Sequence, residues 1–214
     1  MTENLHSMRI DYSGKGLIKD NFNKNPIKQF KIWFKEAVKF EIKEPNAMIL
    51  STIKKNNKPT SRTVLLKEVN KNGFIFFTNY NSNKGKEISN NKNVSLNFLW
   101  KDIERQIIIE GATKKISDVS SNNYFNKRPR DSQISAWVSD QSKKIKDKKI
   151  LENQYEKMVK KFHKIDIIPK PTYWGGYIVL PNKIEFWQGK KSRLHDRICY
   201  KLIDKSWKTF RLSP

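Results

Sequence analysis

Four stretches of the chain concentrate cations, hydroxyls and amides beyond what a hydrophobic core requires. Arg62-Thr63-Val64-Leu65-Leu66-Lys67 reads as a strand, and alternation sends Arg62, Val64 and Leu66 to one face and Thr63, Leu65 and Lys67 to the other, so each face carries one cation. Tyr124-Phe125-Asn126-Lys127-Arg128-Pro129-Arg130-Asp131-Ser132 brings a phenol, two guanidinium groups and a hydroxyl together around a helix end. Phosphate binding wants that mixture, a bidentate fork plus neutral donors. Gln141-Ser142 follows Trp137-Val138-Ser139-Asp140, where an amide and a hydroxyl near an aromatic can dock a planar polar ring or simply cap a surface helix. The last stretch, Glu185-Phe186-Trp187-Gln188-Gly189 with Arg193-Leu194-His195-Asp196-Arg197, sets His195 between two Arg in a loop before a strand.

The guanidinium groups stand out against the background. Of 214 residues, 44 are Lys or Arg and 21 are Asp or Glu, a net charge of +23, yet only eight of the cations are Arg. Such a balance raises nucleic acid as a partner, but the Lys are scattered in pairs over turns and helix surfaces without a recognition motif, which fits solvated surface. Guanidinium offers phosphate a rigid fork that ammonium cannot copy, so an Arg kept among so many Lys poses a functional question. No Ser/His/Asp order, paired acids or metal-ligand cluster emerges. Phosphate-handling residues without a clear nucleophile suit an enzyme whose reactive group belongs to a bound cofactor.

The elements that must position these residues follow from spacing and capping. Asn25-Pro26 starts a helix with Ile27, Phe30, Trp33, Phe34, Ala37 and Val38 on one face. Strands are expected over 47–53, 60–69, 74–79, 94–100 and 106–113, with Asn72-Gly73 as a tight hairpin turn using positive φ. A helix capped by Ser117 runs to Asn126, another covers 143–163, and a second strand set occupies 176–180, 183–188, 198–203 and 207–212. About nine short strands interrupted by helices give an α+β fold built on an antiparallel barrel or strongly curled sheet. No G-x-G-x-x-G or G-x-x-x-x-G-K-[ST] occurs, which argues against a parallel nucleotide-binding sheet.

Composition bounds the remaining possibilities. At 36% hydrophobic and 12% aromatic residues the chain is expected to be globular, with residues 1–20 a flexible polar head and 21–214 one domain. Its one cysteine, Cys199, excludes an internal disulfide, and His6, His163 and His195 lie too far apart to suggest a metal centre. No apolar run reaches the ~18 residues of a membrane span, and the polar start lacks a secretory layout, so the cytoplasm is the expected location.

At the four segments the chain resembles the pyridoxamine 5′-phosphate oxidase family. The similarity runs from Arg9-Ile10-Asp11-Tyr12 through the Arg62–Lys67 strand, Phe77-Thr78-Asn79, Glu104-Arg105-Gln106, Arg128-Pro129-Arg130-Asp131-Ser132-Gln133, Gln141-Ser142 and Phe186-Trp187-Gln188-Gly189 to Arg193-Leu194-His195-Asp196-Arg197 and Arg211-Leu212-Ser213-Pro214. The resemblance implies an antiparallel split β-barrel that binds FMN and assembles as a homodimer with sites at the subunit interface. It implies oxidation of pyridoxamine or pyridoxine 5′-phosphate to pyridoxal 5′-phosphate, with O2 giving H2O2 and no need of nucleic acid or membrane. By the same resemblance Arg62, Thr63, Val64, Leu65, Leu66, Lys67, Phe77, Thr78, Lys84, Gln106, Gln141, Ser142, Trp187 and Arg197 would contact FMN. Lys67, Tyr124, Arg128 and Ser132 would hold the substrate phosphate; Arg193 and His195 would be catalytic over the pyridine ring, with Leu194 between them and Arg9 and Tyr12 folding over the site. One position departs from the family pattern: Asn83 stands where Arg commonly precedes the Lys, leaving Lys84 and Arg62 more of the cofactor phosphate charge. Two other readings stay open, a related split-barrel flavin reductase and a basic β-barrel that stacks nucleic-acid bases on aromatics such as Trp100 and Trp137.

Overall fold

Asn25 caps the first α-helix among the described residues. Its side-chain oxygen accepts the backbone N–H groups of Ile27 and Lys28, and Pro26 fills the first position of helix α1 (Pro26–Lys39), where a missing donor costs nothing. Phe30, Trp33 and Ala37 on the inner face of α1 are buried. The computed structural model describes residues 5–8, 10–14 and 16–214. Arg9 lies outside them.

Among the described residues there are nine strands and five α-helices: β1 (Ala47–Ile53), β2 (Pro59–Leu65), β3 (Glu68–Val69), β4 (Phe74–Asn79), α2 (Asn83–Asn90), β5 (Asn93–Trp100), β6 (Arg105–Lys115), α3 (Asp118–Asn126), α4 (Arg130–Val138), α5 (Lys149–Phe162), β7 (Trp174–Gln188), β8 (Asp196–Ile203) and β9 (Ser206–Leu212), with α1 leading. The strands hydrogen-bond in the order β2-β1-β5-β6-β7-β4-β3, with β8 added on β7 and β9 on β8. The result is a curled antiparallel sheet of the split-barrel type, as the alternation and resemblance led us to expect.

The chain divides into two compact units. One comprises residues 1–50, 95–111 and 181–214, the other 51–94 and 112–180. In the first, Phe30, Trp33, Phe98, Trp100, Phe186 and Tyr200 form an aromatic core whose rings meet mostly edge to face, for instance Trp33 and Phe186 with centroids 5.1 Å apart at 82°. In the second, Phe125, Ile134, Phe162, Ile168 and Trp174 bury against one another beneath α3, α4 and α5.

Several expectations on local structure are corrected. The Asn72-Gly73 turn uses no positive φ at either residue. Instead Asn70 Oδ1 accepts the backbone N–H groups of Asn72 and Gly73, and Asn70 N–H donates to Gly73 O at 3.1 Å. Glycine is still required there, since a Cβ would meet Val179 O at 2.0 Å. The expected strand 60–69 breaks after Leu65. The expected strands 176–180 and 183–188 are one, β7, running through Pro181. Its pairing with β4 ends at Val179 and its pairing with β8 begins at Lys183, so the proline falls where the ladder changes partner. Helices α2 and α4 were not expected, and α5 starts at Lys149 rather than 143.

Candidate functional site

A cleft of about 470 Å³ opens wholly within the second unit. Its floor is the end of β2, where Thr63, Val64 and Leu65 all line the space. Alternating side chains cannot put three successive residues on one wall, so the cleft meets the strand along its backbone edge. β2 is terminal in the hydrogen-bonded order, which leaves that edge available. The break after β2 buries Leu66 in the core and turns Lys67 into the cleft, replacing the expected strict alternation.

The cation wall is built on Glu87. This buried carboxylate accepts from Thr52 Oγ1 at 2.5 Å, Thr60 Oγ1 at 2.8 Å and Arg62 Nη2 at 3.0 Å. Burial pushes its carboxyl up, but the two threonines and the guanidinium outweigh this and hold it below the ordinary carboxylate range. Arg62 is thereby fixed on the β2 side. Lys84 enters from the first turn of α2, whose N-cap Ser82 accepts from Gly85 N–H. Its ammonium donates to Gln141 Oε1 at 3.1 Å. Burial, and then the Arg62 charge, hold Lys84 below its usual range, with Glu87 opposing. The Lys84 ammonium thus lines the cleft with a second cation near it, an arrangement that suits an anionic group. Ser142, with φ of 75°, accepts from Asn83 N–H at 3.3 Å and pins the Gln141 loop to the start of α2.

The opposite wall is aromatic. Phe77, Tyr124 and Trp174 cluster with near-parallel rings: Phe77 stacks on Tyr124 (3.9 Å, 16°) and lies beside Trp174 (5.3 Å, 12°), and Tyr124 and Trp174 are 6.2 Å apart at 4°. Arg128 sits over the Trp174 ring at 4.8 Å, and its buried Nη1 has no hydrogen-bond partner among the described residues. Burial presses against the Arg128 charge and pushes the Tyr124 phenol up, so Tyr124 is a hydroxyl donor at neutral pH.

The first unit carries a second set. His195 Nδ1 accepts the Lys190 backbone N–H at 3.1 Å, which places the proton of the neutral ring on Nε2. Tyr12 stands edge-on to both His195 (5.3 Å, 82°) and Trp187 (5.6 Å, 84°). A recess of about 250 Å³ lies between Tyr12, Arg193 and His195, and Ser192 and Arg193 hold it open with consecutive left-handed φ of 56° and 58°. Gln106 lines an adjoining recess with Tyr12 and Trp187.

Two family models match the chain: "Pyridoxamine 5'-phosphate oxidase" over residues 34–161 and "Pyridoxine 5'-phosphate oxidase C-terminal dimerisation region" over residues 174–214. The chain belongs to the pyridoxamine 5′-phosphate oxidase family. It is 51% identical over its whole length to "Pyridoxine/pyridoxamine 5'-phosphate oxidase 2" of Hydrogenovibrio crunogenus, covering 100% of both chains. It is 50% identical to the oxidase of Actinobacillus pleuropneumoniae serotype 5b, over 98% of this chain and 99% of that one. Among solved structures, PhzG from Burkholderia lata, in complex with tetrahydrophenazine-1-carboxylic acid, superposes with a TM-score of 0.89 at 26% identity, covering 94% of this chain and 100% of that one. An FMN-binding protein of Nostoc punctiforme shares the fold at a TM-score of 0.70 and 14% identity, over 86% and 97% of the respective chains. The family is one of oxidoreductases.

The expected site residues thus fall into two groups. Thr63, Val64, Leu65, Lys67, Phe77, Thr78, Lys84, Gln141, Tyr124 and Arg128 line the cleft, with Arg62 and Ser142 behind it. Ser132 is half-buried on α4 and Leu66 is in the core; neither lines the cleft. Tyr12, Gln106, Trp187, Arg193 and His195 line the recesses of the first unit, and Leu194 is exposed beside them. Arg197 lines neither: it pairs bidentately with Glu185 at 2.7 and 3.0 Å and donates to Ser213 O at 2.9 Å. Trp174, Asn79 and Ser139 also line the cleft; Asn79 and Ser139 stood in the motif segments without an assigned role, and Trp174 was not singled out.

Proposed function

We propose that the chain oxidises pyridoxamine and pyridoxine 5′-phosphate to pyridoxal 5′-phosphate, with FMN as cofactor and O2 as final acceptor giving H2O2. The observation that carries this reading is the Arg128 Nη1, buried and without a hydrogen-bond partner among the described residues, in an aromatic cleft that a phenol and Lys67 also line. A buried guanidinium nitrogen without a partner costs free energy that a phosphate oxygen can recover, and the planar fork lets a phosphate bind bidentately.

The residues fit both phosphorylated molecules. FMN would lie along the β2 edge, where backbone groups of Thr63, Val64 and Leu65 match the polar rim of a flat ring, with its phosphate at Lys84 and Arg62 and its ring near Thr78 and Gln141. When bound, FMN supplies a two-electron acceptor that O2 can regenerate. Lys67, Tyr124 and Arg128 would hold the substrate phosphate, and binding energy spent there fixes the reacting carbon in a near-attack position. Arg193 and His195 would polarise and orient the pyridine ring, His195 donating from Nε2. For the amine, one carbon–hydrogen bond is broken, water replaces the nitrogen, and ammonia leaves; for the alcohol, the hydroxyl proton leaves with the hydride.

A homodimer with equivalent sites at its interface belongs to the same reading. Trp187, Arg193, His195 and Arg197 all fall within the stretch matched by the dimerisation-region model, which supports assembly and site as one design. No helix among the described residues is long and apolar enough to cross a membrane, and we assign the protein to the cytoplasm. The test is aerobic incubation of FMN-loaded protein with pyridoxamine 5′-phosphate. Aldehyde and peroxide are expected in equal amounts; neither appearing refutes the proposal.

A further inference from the structure

We propose that Glu104 is a positioning residue that holds Tyr12 in place over Trp187 and His195. Both carboxylate oxygens of Glu104 accept the Ser13 backbone N–H, at 3.0 and 2.9 Å, and Oε2 also accepts the Gly14 N–H at 2.8 Å. The Ser13 hydroxyl adds a longer bond at 3.4 Å. One side chain therefore gathers the two amides that directly follow Tyr12, across 91 residues of sequence.

Glu104 is itself anchored. It closes the turn into β6 with a left-handed backbone, φ 55° and ψ 39°. Its carbonyl accepts Gly189 N–H at 2.8 Å and Gln188 Nε2 at 3.2 Å, which ties it to the end of β7 that carries Trp187. Gly189 is needed because a Cβ there would stand 2.7 Å from Tyr12 Cδ1 and 3.1 Å from Glu104 Cβ. Trp187, Gly189, Glu104 and Tyr12 thus form one interlocked corner, in which the carboxylate sets where the Tyr12 ring can be. Charge-assisted bonds from backbone amides are the strong kind, and two converging on one group define position as well as energy.

This inference rests on the proposed oxidation, because the benefit of a fixed Tyr12 is a substrate covered over the ring. The test has a readout that needs no turnover. Amide hydrogen exchange at Ser13 and Gly14 is measured in the purified full chain for the unaltered protein, Glu104→Gln and Glu104→Asn. Asn tolerates the left-handed backbone but falls one methylene short, whereas Gln keeps an acceptor in reach. Exchange is expected to rise by about tenfold in Glu104→Asn and by clearly less in Glu104→Gln, which keeps one acceptor in reach but gives up the charge. With pyridoxamine 5′-phosphate, Glu104→Asn is expected to raise KM about tenfold with a smaller change in kcat, and adding Tyr12→Ala to it should cost less than about twofold more. Should Glu104→Asn not fold, Ser13→Pro removes a donor from the other side and should raise KM likewise. Unchanged exchange, or effects of the two substitutions that multiply, would overturn the role of Glu104. Absence of aldehyde from the unaltered chain would instead overturn the underlying reading, while the exchange rates decide the latch on their own.

Discussion

The Arg128 guanidinium lies over the face of Trp174 at 4.8 Å, with Nη1 buried and no hydrogen-bond partner among the described residues. Fold and function pull against each other at this contact. Stacking keeps the planar fork aimed, while burial without a counter-charge costs stability. Arg128→Met should therefore raise KM for pyridoxamine 5′-phosphate by about 10- to 100-fold. Its thermal midpoint should be unchanged or slightly higher, as expected when an unpaired buried charge is replaced by an apolar chain. A lowered midpoint with KM unaltered would make Arg128 a structural residue.

Glu87 balances the charge of Arg62. Glu87→Gln keeps an acceptor for Thr52 and Thr60 but frees a full positive charge beside Lys84, so FMN should bind several-fold more tightly while the protein without FMN loses about 2–4 kcal/mol of stability. Isothermal titration and urea unfolding measure the two separately. Weaker FMN binding would show that Glu87 serves to orient Arg62 rather than to neutralise it. The depressed Glu87 carboxyl also fixes an acid limb: its stabilisation is present above the ordinary carboxylate range and is lost as pH falls through the lower folded value.

Asn83 is the exposed first residue of α2, next to Lys84. Asn83→Arg should lower the FMN dissociation constant by about three- to tenfold, with the gain shrinking as salt rises. A flavin titration at two ionic strengths decides it. No gain at low salt would mean that Lys84 and Arg62 already saturate the phosphate.

Alkaline stability follows from two buried phenols. Burial pushes Tyr177 and Tyr200 up to about 12, from the usual 10. A raised folded value means that the native state keeps its proton after the unfolded chain has lost it, so stability is full below pH 10 and falls as pH rises toward 12. The loss should be on the order of 1–2 kcal/mol per group. Tyr200→Phe should flatten that limb in urea unfolding at pH 8 and pH 11, although it gives up the hydrogen bond to Asn23 O. An unchanged slope would show that Tyr200 ionises at its ordinary value.

What sequence could and could not reveal follows the range of the physics involved. Capping is local, so Asn25-Pro26 and Ser117 located α1 and α3 correctly. Helix α4 has nine residues, and its apolar face, Ile134, Trp137 and Val138, is confined to the second half, too short a pattern to announce a helix. Helix α2 is short and polar, and only Ser82 before Gly85 hinted at its start. The cation wall was visible as rare Arg among Lys, but the partner that fixes Arg62 was not, because Glu87 is 25 residues away with no pattern linking them. Glu104 appeared in a family motif without a role, since its function lies in amides 90 and 91 residues distant. Long-range hydrogen bonds between a carboxylate and backbone leave no periodicity to read.

On the proposed reading this chain passes two electrons from a phosphorylated B6 vitamer to molecular oxygen. An oxygen-electrode trace of the FMN-loaded protein, run together with aldehyde determination, tests it most directly. Oxygen uptake that begins on addition of pyridoxamine 5′-phosphate, matches the pyridoxal 5′-phosphate formed mole for mole, and is reversed by half when catalase is added is the expected trace. Oxygen uptake indifferent to the substrate, or a flat trace with the flavin bound, would contradict the account.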